Sequence, residues 1–482
     1  MRKKGKEVLA AVGISVLLLF TLSNSEALVV ISKDTATIGN TVILNADGVN
    51  DAANGTALQN TLAGITGSST NRYVIRLGPG TYDVGNTTLA MKSFVDIEGS
   101  GQNVTVITGN PDGPATVTAF GVTDGEIRSL TVKNTGGGTA AVAIGTGGSI
   151  MITNVSAYAS GSTSNHAIEN HCPSPPCSNV LLKNVYTEVV SAGSSENIGI
   201  LNTANSAVIM VDGIIYVSGT EGTTVGSNDN IGIKNVSNNS PIMMDMYVLA
   251  GGGANSYGII NDTSSGQMLN VYAFATDATG NNTGITNQNS SAPGMRNVRG
   301  EGSSGAQSTG MANINCGTAS TSANSFTAIG HNASGMNIGI LNDGCSFFLS
   351  SMFAAATPVK AGAAHYAVKN VNASPTIQSS VMRSPAPTTV SNCNGGCFGV
   401  HSTGSGTVKI DSSQVYTSLT SAVTVTETAG ATTIFNGSGV TTYVGSSKLD
   451  GNTVSNAGTL KCIGVYNETY DALANITTPC TP

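Results

Sequence analysis

The phrase NIGILN (Asn197–Asn202) returns as NIGIKN (Asn230–Asn235) and again as NIGILN (Asn337–Asn342). HAIEN, SYGIIN, NTGITN, STGMAN, HYAVKN and CFGVHS complete a run of nine copies between His166 and Ser402. The glycine, or alanine in its place, stands at Ala167, Gly199, Gly232, Gly258, Gly284, Gly310, Gly339, Ala367 and Gly399, so the copies lie 32, 33, 26, 26, 26, 29, 28 and 32 residues apart. A unit of this length cannot bury an apolar face alone and must stack on its neighbours, which makes the chain a solenoid. Propeller blades of ~40 residues fit the intervals poorly.

Counted from the glycine, position +1 is apolar in every copy, from Ile168 to Val400, and position +3 is Asn from Asn170 through Asn370, with Ser402 last. In a strand these two positions share a side, so both are expected to face the core, where stacked amides form a ladder. A second half-repeat lies between the phrases: MITNV, LLKNV, IMVDG, IMMDM, QMLNV and GMRNV. It sets an inward column (Ile152, Leu182, Met210, Met243, Met268, Met295) and a second corner (Asn154, Asn184, Asp212, Asp245, Asn270, Asn297), also expected to point inward. The methionines read as core filling rather than a metal site. Each turn then supplies at least two strands and two corners, with equivalent residues ~4.8 Å apart along the axis. Neighbouring strands are parallel, and the bias on parallel crossovers makes the coil right-handed.

Composition agrees with one elongated, repetitive domain: 60 Gly, no Trp and only 10% charged residues. Arg2, Lys3, Lys4 and Lys6 precede an apolar run from Val8 to Leu22, and Ser25-Glu26-Ala27 offers small residues for cleavage. Residues 1–27 therefore read as a secretory signal, the run being short of the ~20 residues of a membrane span. Cleavage leaves 16 cationic and 25 anionic side chains, a balance of −9, which does not suit nucleic acid. No second apolar stretch follows, so no membrane span is expected after cleavage, and the product is placed outside the cell or on its surface, with the periplasm as the alternative.

The segment TALQNTLAGIT (Thr56–Thr66) carries Leu58, Leu62 and Ile65 at helical spacing. Strands punctuated by Pro-Gly and Gly-Ser-Gly turns follow: YVIRLGPGTYDVG (Tyr73–Gly85), FVDIEGSGQNVTVITG (Phe94–Gly109) and EIRSLTVKN (Glu126–Asn134). A helix feeding short strands suits an end cap that covers an open sheet edge. The fold class is thus all-β: a right-handed parallel β-helix with a short N-terminal capping helix and a C-terminal cap. Its divisions read as 1–27 signal, 28–110 N-terminal cap and first strands, 111–435 rungs, and 436–482 C-terminal cap.

The eight cysteines, all beyond the signal, fit an oxidising compartment. Cys172/Cys177 and Cys393/Cys397 are close pairs, and Cys462/Cys480 could staple the C-terminus. Cys316 and Cys345 each stand six places after a repeat glycine (Gly310, Gly339), so they are expected to stack on adjacent rungs and form a bond. Without a second matching pair or a histidine set, zinc is not expected.

Through YVIRLGPGTY and VDIEGSGQNVTVITG, residues 50–135 resemble the opening of pectin methylesterases. The rest resembles the pectin-lyase-like right-handed parallel β-helix superfamily through its repeat alone. The resemblance implies a fold. The catalytic contexts of those esterases (Gln-Ala, Gln-Asp-Thr, Asp-Phe-Ile-Phe-Gly, Gly-Arg-Pro-Trp) do not occur here, so no catalytic residue carries over. The lyases of the superfamily pair calcium-binding carboxylates with a basic residue, and the rungs between Asn197 and Asn370 hold too few Lys and Arg for such a cluster.

Two classes of function stay open: a non-catalytic surface β-helix with a structural, adhesive or glycan-contacting role, and a carbohydrate-active enzyme (polysaccharide esterase, lyase or hydrolase). The partner in either case is a polysaccharide or cell-surface glycan. The sharpest candidates are Asp212 and Asp245, each thirteen residues after its glycine and therefore one rung apart. Two carboxylates at ~5 Å repel, raising one pKa or recruiting a cation such as Ca2+, and the separation also matches that of retaining glycosidases. The plainer reading is that both replace ladder Asn at a turn. No other cofactor is implied. The five histidines (166, 171, 331, 365, 401) fall at different offsets and read as surface or turn residues.

Overall fold

A computed structural model of the chain describes residues 40–171, 180–191, 195–203, 208–219, 229–237, 240–316, 322–357, 363–384, 396–417, 431–450, 454–466 and 472–473. Residues 1–27, read above as a signal, lie outside these residues. What is described is a parallel β-solenoid whose strands pair almost throughout with the equivalent strand of the next rung. Three faces recur. Face A precedes the second-half-repeat corner, face B follows it, and face C is the phrase itself, as in Ile242–Gly251 (A and B) and Asn255–Asp262 (C).

A short helix, Asp51–Gly64, opens the coil. It begins where Asn50 caps it, the side-chain oxygen accepting from Ala53 N at 3.0 Å, and it buries Leu58 and Leu62. Tyr82 fastens the first rung by donating its hydroxyl hydrogen to the Leu44 carbonyl at 2.9 Å. At the far end parallel pairing continues through Val440–Gly445 and Thr459–Ile463.

Two columns of buried amides run through the interior. In the first, Asn170, Asn202, Asn235, Asn261, Asn287, Asn313, Asn342 and Asn370 each donate to the next rung's side-chain oxygen at 2.6–3.1 Å, ending on Ser402. The second includes Asn165, Asn197 and Asn230, linked at 2.9 and 3.0 Å. Each amide is both donor and acceptor, so a stack satisfies polar groups that would otherwise be costly to bury.

The second corner points the other way from the sequence expectation. Asn154, Asn184, Asp212, Asp245, Asn270 and Asn297 are exposed. All are left-handed, with φ between 50° and 56°. A single left-handed residue resets the two-residue alternation: Met243 is buried, Met244 and Asp245 both turn outward, and Met246 is buried again. Asn and Asp tolerate that backbone better than other residues, which accounts for the column. The chain folds into an outward ridge there.

At the phrase the bend has the opposite sense. The glycine and the residue after it both face inward: a Cβ on Gly232 would lie 2.1 Å from Val248 Cγ1, and Ile233 belongs to the main core. Two successive inward residues make the outer surface concave, so positions −1 and +2 line a trough along face C. Ile198, Ile231 and Ile260 form a separate apolar cluster in it, with Leu201 and Tyr257 packed against them.

Candidate functional site

Cys316 and Cys345 are disulfide-bonded with a Cα–Cα distance of 4.9 Å, the rung spacing the register requires. Cys397 and Cys462 are each in a separate disulfide as well, not with one another, and no described cysteine is free. Cys172, Cys177, Cys393 and Cys480 lie outside the described residues.

Asp212 and Asp245 stand on adjacent rungs of the exposed ridge, where Asp212 N donates to the Met244 carbonyl at 3.1 Å. Asp245 Oδ1 accepts from Asn270 Nδ2 at 2.9 Å, and Asn297 donates to Asn270 at 2.8 Å. Asp245 is thus the end of an outer ladder that continues through Asn270 and Asn297, while Asp212 is joined to the next rung through its backbone. Among the described residues no group of three or more His, Cys, Asp or Glu is placed to hold a metal ion.

Beside the ridge, face B carries an aromatic stripe that a reading of inward columns alone misses. Tyr158, Tyr186, Tyr216, Tyr247 and Tyr272 occupy five consecutive rungs, with Phe274 beside Tyr272. Tyr247 and Tyr272 have ring centroids 5.1 Å apart, and Tyr158 and Tyr186 are 5.8 Å apart. Tyr216 and Tyr247 are 36% and 44% exposed, so aromatic surface faces water. Two depressions mark where stripe meets ridge. One of about 290 Å³ is lined by Tyr158, Tyr186 and Asn184, and one of about 340 Å³ by Tyr272, Arg299, Asn270 and Asn297.

Glu301 anchors the second depression. It accepts from Arg299 Nε at 3.0 Å, from the Tyr272 hydroxyl at 3.1 Å and pairs with His331 Nε2 at 2.8 Å. Burial favours its neutral form, but the bonds from His331 and Arg299 and the Arg299 charge outweigh it and hold the carboxyl at about 2. The residue is an ionised brace for Tyr272 and Arg299.

A third cluster lies on the outer side of face A in the first rungs. Arg128 bonds Glu98 at 3.1 Å and Glu126 at 2.5 Å, Arg76 bonds Glu98 at 3.1 Å, and Arg72 and Arg128 stand 3.8 and 3.7 Å from Asp96. Burial raises the Asp96 carboxyl above its usual range, more than Arg72 and Arg128 pull it down.

One histidine departs from the expectation of a surface or turn position. His365 is fully buried in the second amide column, its Nδ1 accepting from Asn337 at 3.1 Å and its Nε2 without a partner. The position suits Asn or Ser by size and polarity, and imidazole fits the same slot.

No protein-family model matches the sequence, and no curated protein does. Several solved structures align over long stretches. The A-module of the Azotobacter vinelandii mannuronan C-5 epimerase AlgE4 is 12% identical over 90% of this chain and 97% of its own, with a TM-score of 0.33. Pectin methylesterase from carrot is 15% identical over 50% and 84%, at 0.28. PfbA, a surface adhesin of Streptococcus pneumoniae, is 8% identical over 87% of each chain, at 0.24. At these identities and scores the likeness carries no residue role or activity to this chain.

Proposed function

We propose that the protein is an exported, non-catalytic β-helix that holds a glycan along its outer surface, with the tyrosine stripe and the amide ridge as the contact. The observation that carries this reading is the pair of depressions, each lined on one side by half-buried tyrosine, Tyr158 and Tyr186 in one and Tyr272 in the other, and on the other side by ridge Asn. A pyranose ring has an apolar C–H face and a rim of hydroxyls. Tyrosine rings suit the first, and amides, which donate and accept, suit the second. The Cys316–Cys345 bond supports an oxidising compartment. Among the described residues no helix is long and apolar enough to cross a membrane.

Asp96 favours the second class, a carbohydrate-active enzyme. Its carboxyl, raised by burial and flanked by two arginines, is a perturbed group of the sort that functional sites carry. Both readings are tested by screening the full chain against a glycan panel while assaying acidic polysaccharides for released product. Binding without release is expected. Turnover that disappears in Asp96→Asn would replace the non-catalytic reading with the enzymatic one.

A further inference from the structure

The trough on face C is lined by residues three apart in sequence, and at its ends these pairs touch across the bend. His166 Nδ1 lies 3.3 Å from Glu169 Oε2, Lys369 Nζ is 4.9 Å from the Tyr366 ring centroid, and the Phe398 and His401 rings are 4.7 Å apart. The C-terminal end is an aromatic stack: Tyr366 on Phe398 at 5.1 Å with planes 6° apart, and His401 on Phe435 at 4.5 Å and 8°. Lys369, Phe398, His401 and Phe435 are half-buried and not sealed.

Lys369 is the anomaly. Among the described residues no carboxylate lies within ion-pair distance of it, and its Nζ meets only Met336 Sδ at 3.6 Å and the face of Tyr366. Burial lowers its pKa, and the Asp343 charge is the one influence that raises it. The same column supplies an internal contrast, since Lys234 is ion-paired with Glu196. A cation held half out of water without a counter-ion is unfavourable until an anion arrives. Beside it His401 has Nδ1 sealed from solvent and unpartnered.

We propose that the C-terminal end of the trough, formed by Tyr366, Lys369, Phe398, His401 and Phe435, binds an acidic sugar residue, its carboxylate on Lys369 and its apolar face on the rings. The assignment rests on the glycan reading and adds the ligand class. Charge selects the acidic sugar, and the aromatic stack supplies the surface a free carboxylate ion would not use.

The test titrates the full chain with trigalacturonate, with its neutral counterpart trigalactose and with a sulfated galactose trimer, in wild type, Lys369→Gln, Lys369→Arg and Tyr247→Ala/Tyr272→Ala. Thermal melts confirm that each variant folds. Wild type should bind the uronate about tenfold more tightly than the neutral sugar, Lys369→Gln should erase that preference, and Lys369→Arg should keep most of it. An unchanged preference in Lys369→Gln, or tighter binding of the sulfated than of the uronate trimer, overturns the assignment. Loss of neutral binding in the tyrosine variant with uronate binding retained supports the stripe and the trough as separate sites, whereas loss of uronate binding there would place the acidic sugar on the stripe and overturn the assignment. If wild type binds only the neutral sugar, this inference fails and the glycan reading stands. If it binds none, both fail.

Discussion

At the scale of single residues, His365 makes the chain acid-sensitive. Burial lowers its pKa from 6.5 to about 4. The unfolded chain therefore takes up a proton below pH 6.5 that the folded chain refuses until about pH 4, and stability falls with pH across that window. The loss from this one group is on the order of 3 kcal/mol. His401 is also lowered to about 4, by burial and then by the Lys369 charge, and adds a smaller loss because it is only half-buried. Denaturant unfolding at pH 7 and pH 4.5 should show the gap between them narrowing by roughly half in His365→Asn, which restores an amide to the column. An equal gap in both proteins would mean that the imidazole is not buried neutral. Asp212 and Asp245 lead to a different expectation. Both are exposed and replaceable within the ridge, so Asp212→Asn/Asp245→Asn should move the melting temperature by no more than about 2 °C. A calcium-induced rise in melting temperature that the double variant loses would instead assign a cation to the pair.

At the scale of the element, adjacent rungs are joined by ladder bonds, and the join at Cys316 and Cys345 also carries a covalent staple. Cys316–Cys345 closes a sequence separation of 29 residues. Its removal should cost about 2–4 kcal/mol. Non-reducing peptide mapping should recover the two cysteines in one linked fragment, and a Cys316→Ser/Cys345→Ser variant should unfold at lower denaturant. Two free thiols would break the register between these rungs. That bond was legible in advance because it depends only on counting from the repeat glycines, as do the Asn170–Asn370 ladder and the inward methionines. The direction of the Asn184–Asn297 corner was not legible by counting, because one left-handed residue shifts the phase by one without altering the spacing. The trough was hidden for a related reason. Its residues are three apart, a period that belongs to neither straight strand nor simple alternation. Pairs such as Tyr366/Lys369, Phe398/His401 and His166/Glu169 are the signal that reveals the bend. His365 escaped because its offset in the repeat was read without reference to the amide column it joins. The aromatic stripe likewise becomes visible only once the ridge phase is known, since its tyrosines stand at either the second or the fourth place after the corner.

At the scale of the whole molecule, the described residues form a stack of similar rungs, so a surface feature repeated on successive rungs presents a row of equivalent contacts ~4.8 Å apart. A ligand that lies along the axis engages several of them at once, and affinity for a neutral oligosaccharide should rise steeply with its length until the stripe is filled. Tyr247 and Tyr272 stand on the last two rungs of the tyrosine stripe, with rings in contact and one of them braced through Glu301. The most direct test of the glycan-holding claim is calorimetric titration of the full chain with the longest oligosaccharide that binds, in wild type and in Tyr247→Ala/Tyr272→Ala. The prediction is a loss of at least about tenfold in affinity with a cooperative unfolding transition retained and only a small drop in melting temperature from the lost Tyr272–Glu301 bond. Equal affinity in the two proteins would contradict the assignment of the stripe as the glycan contact.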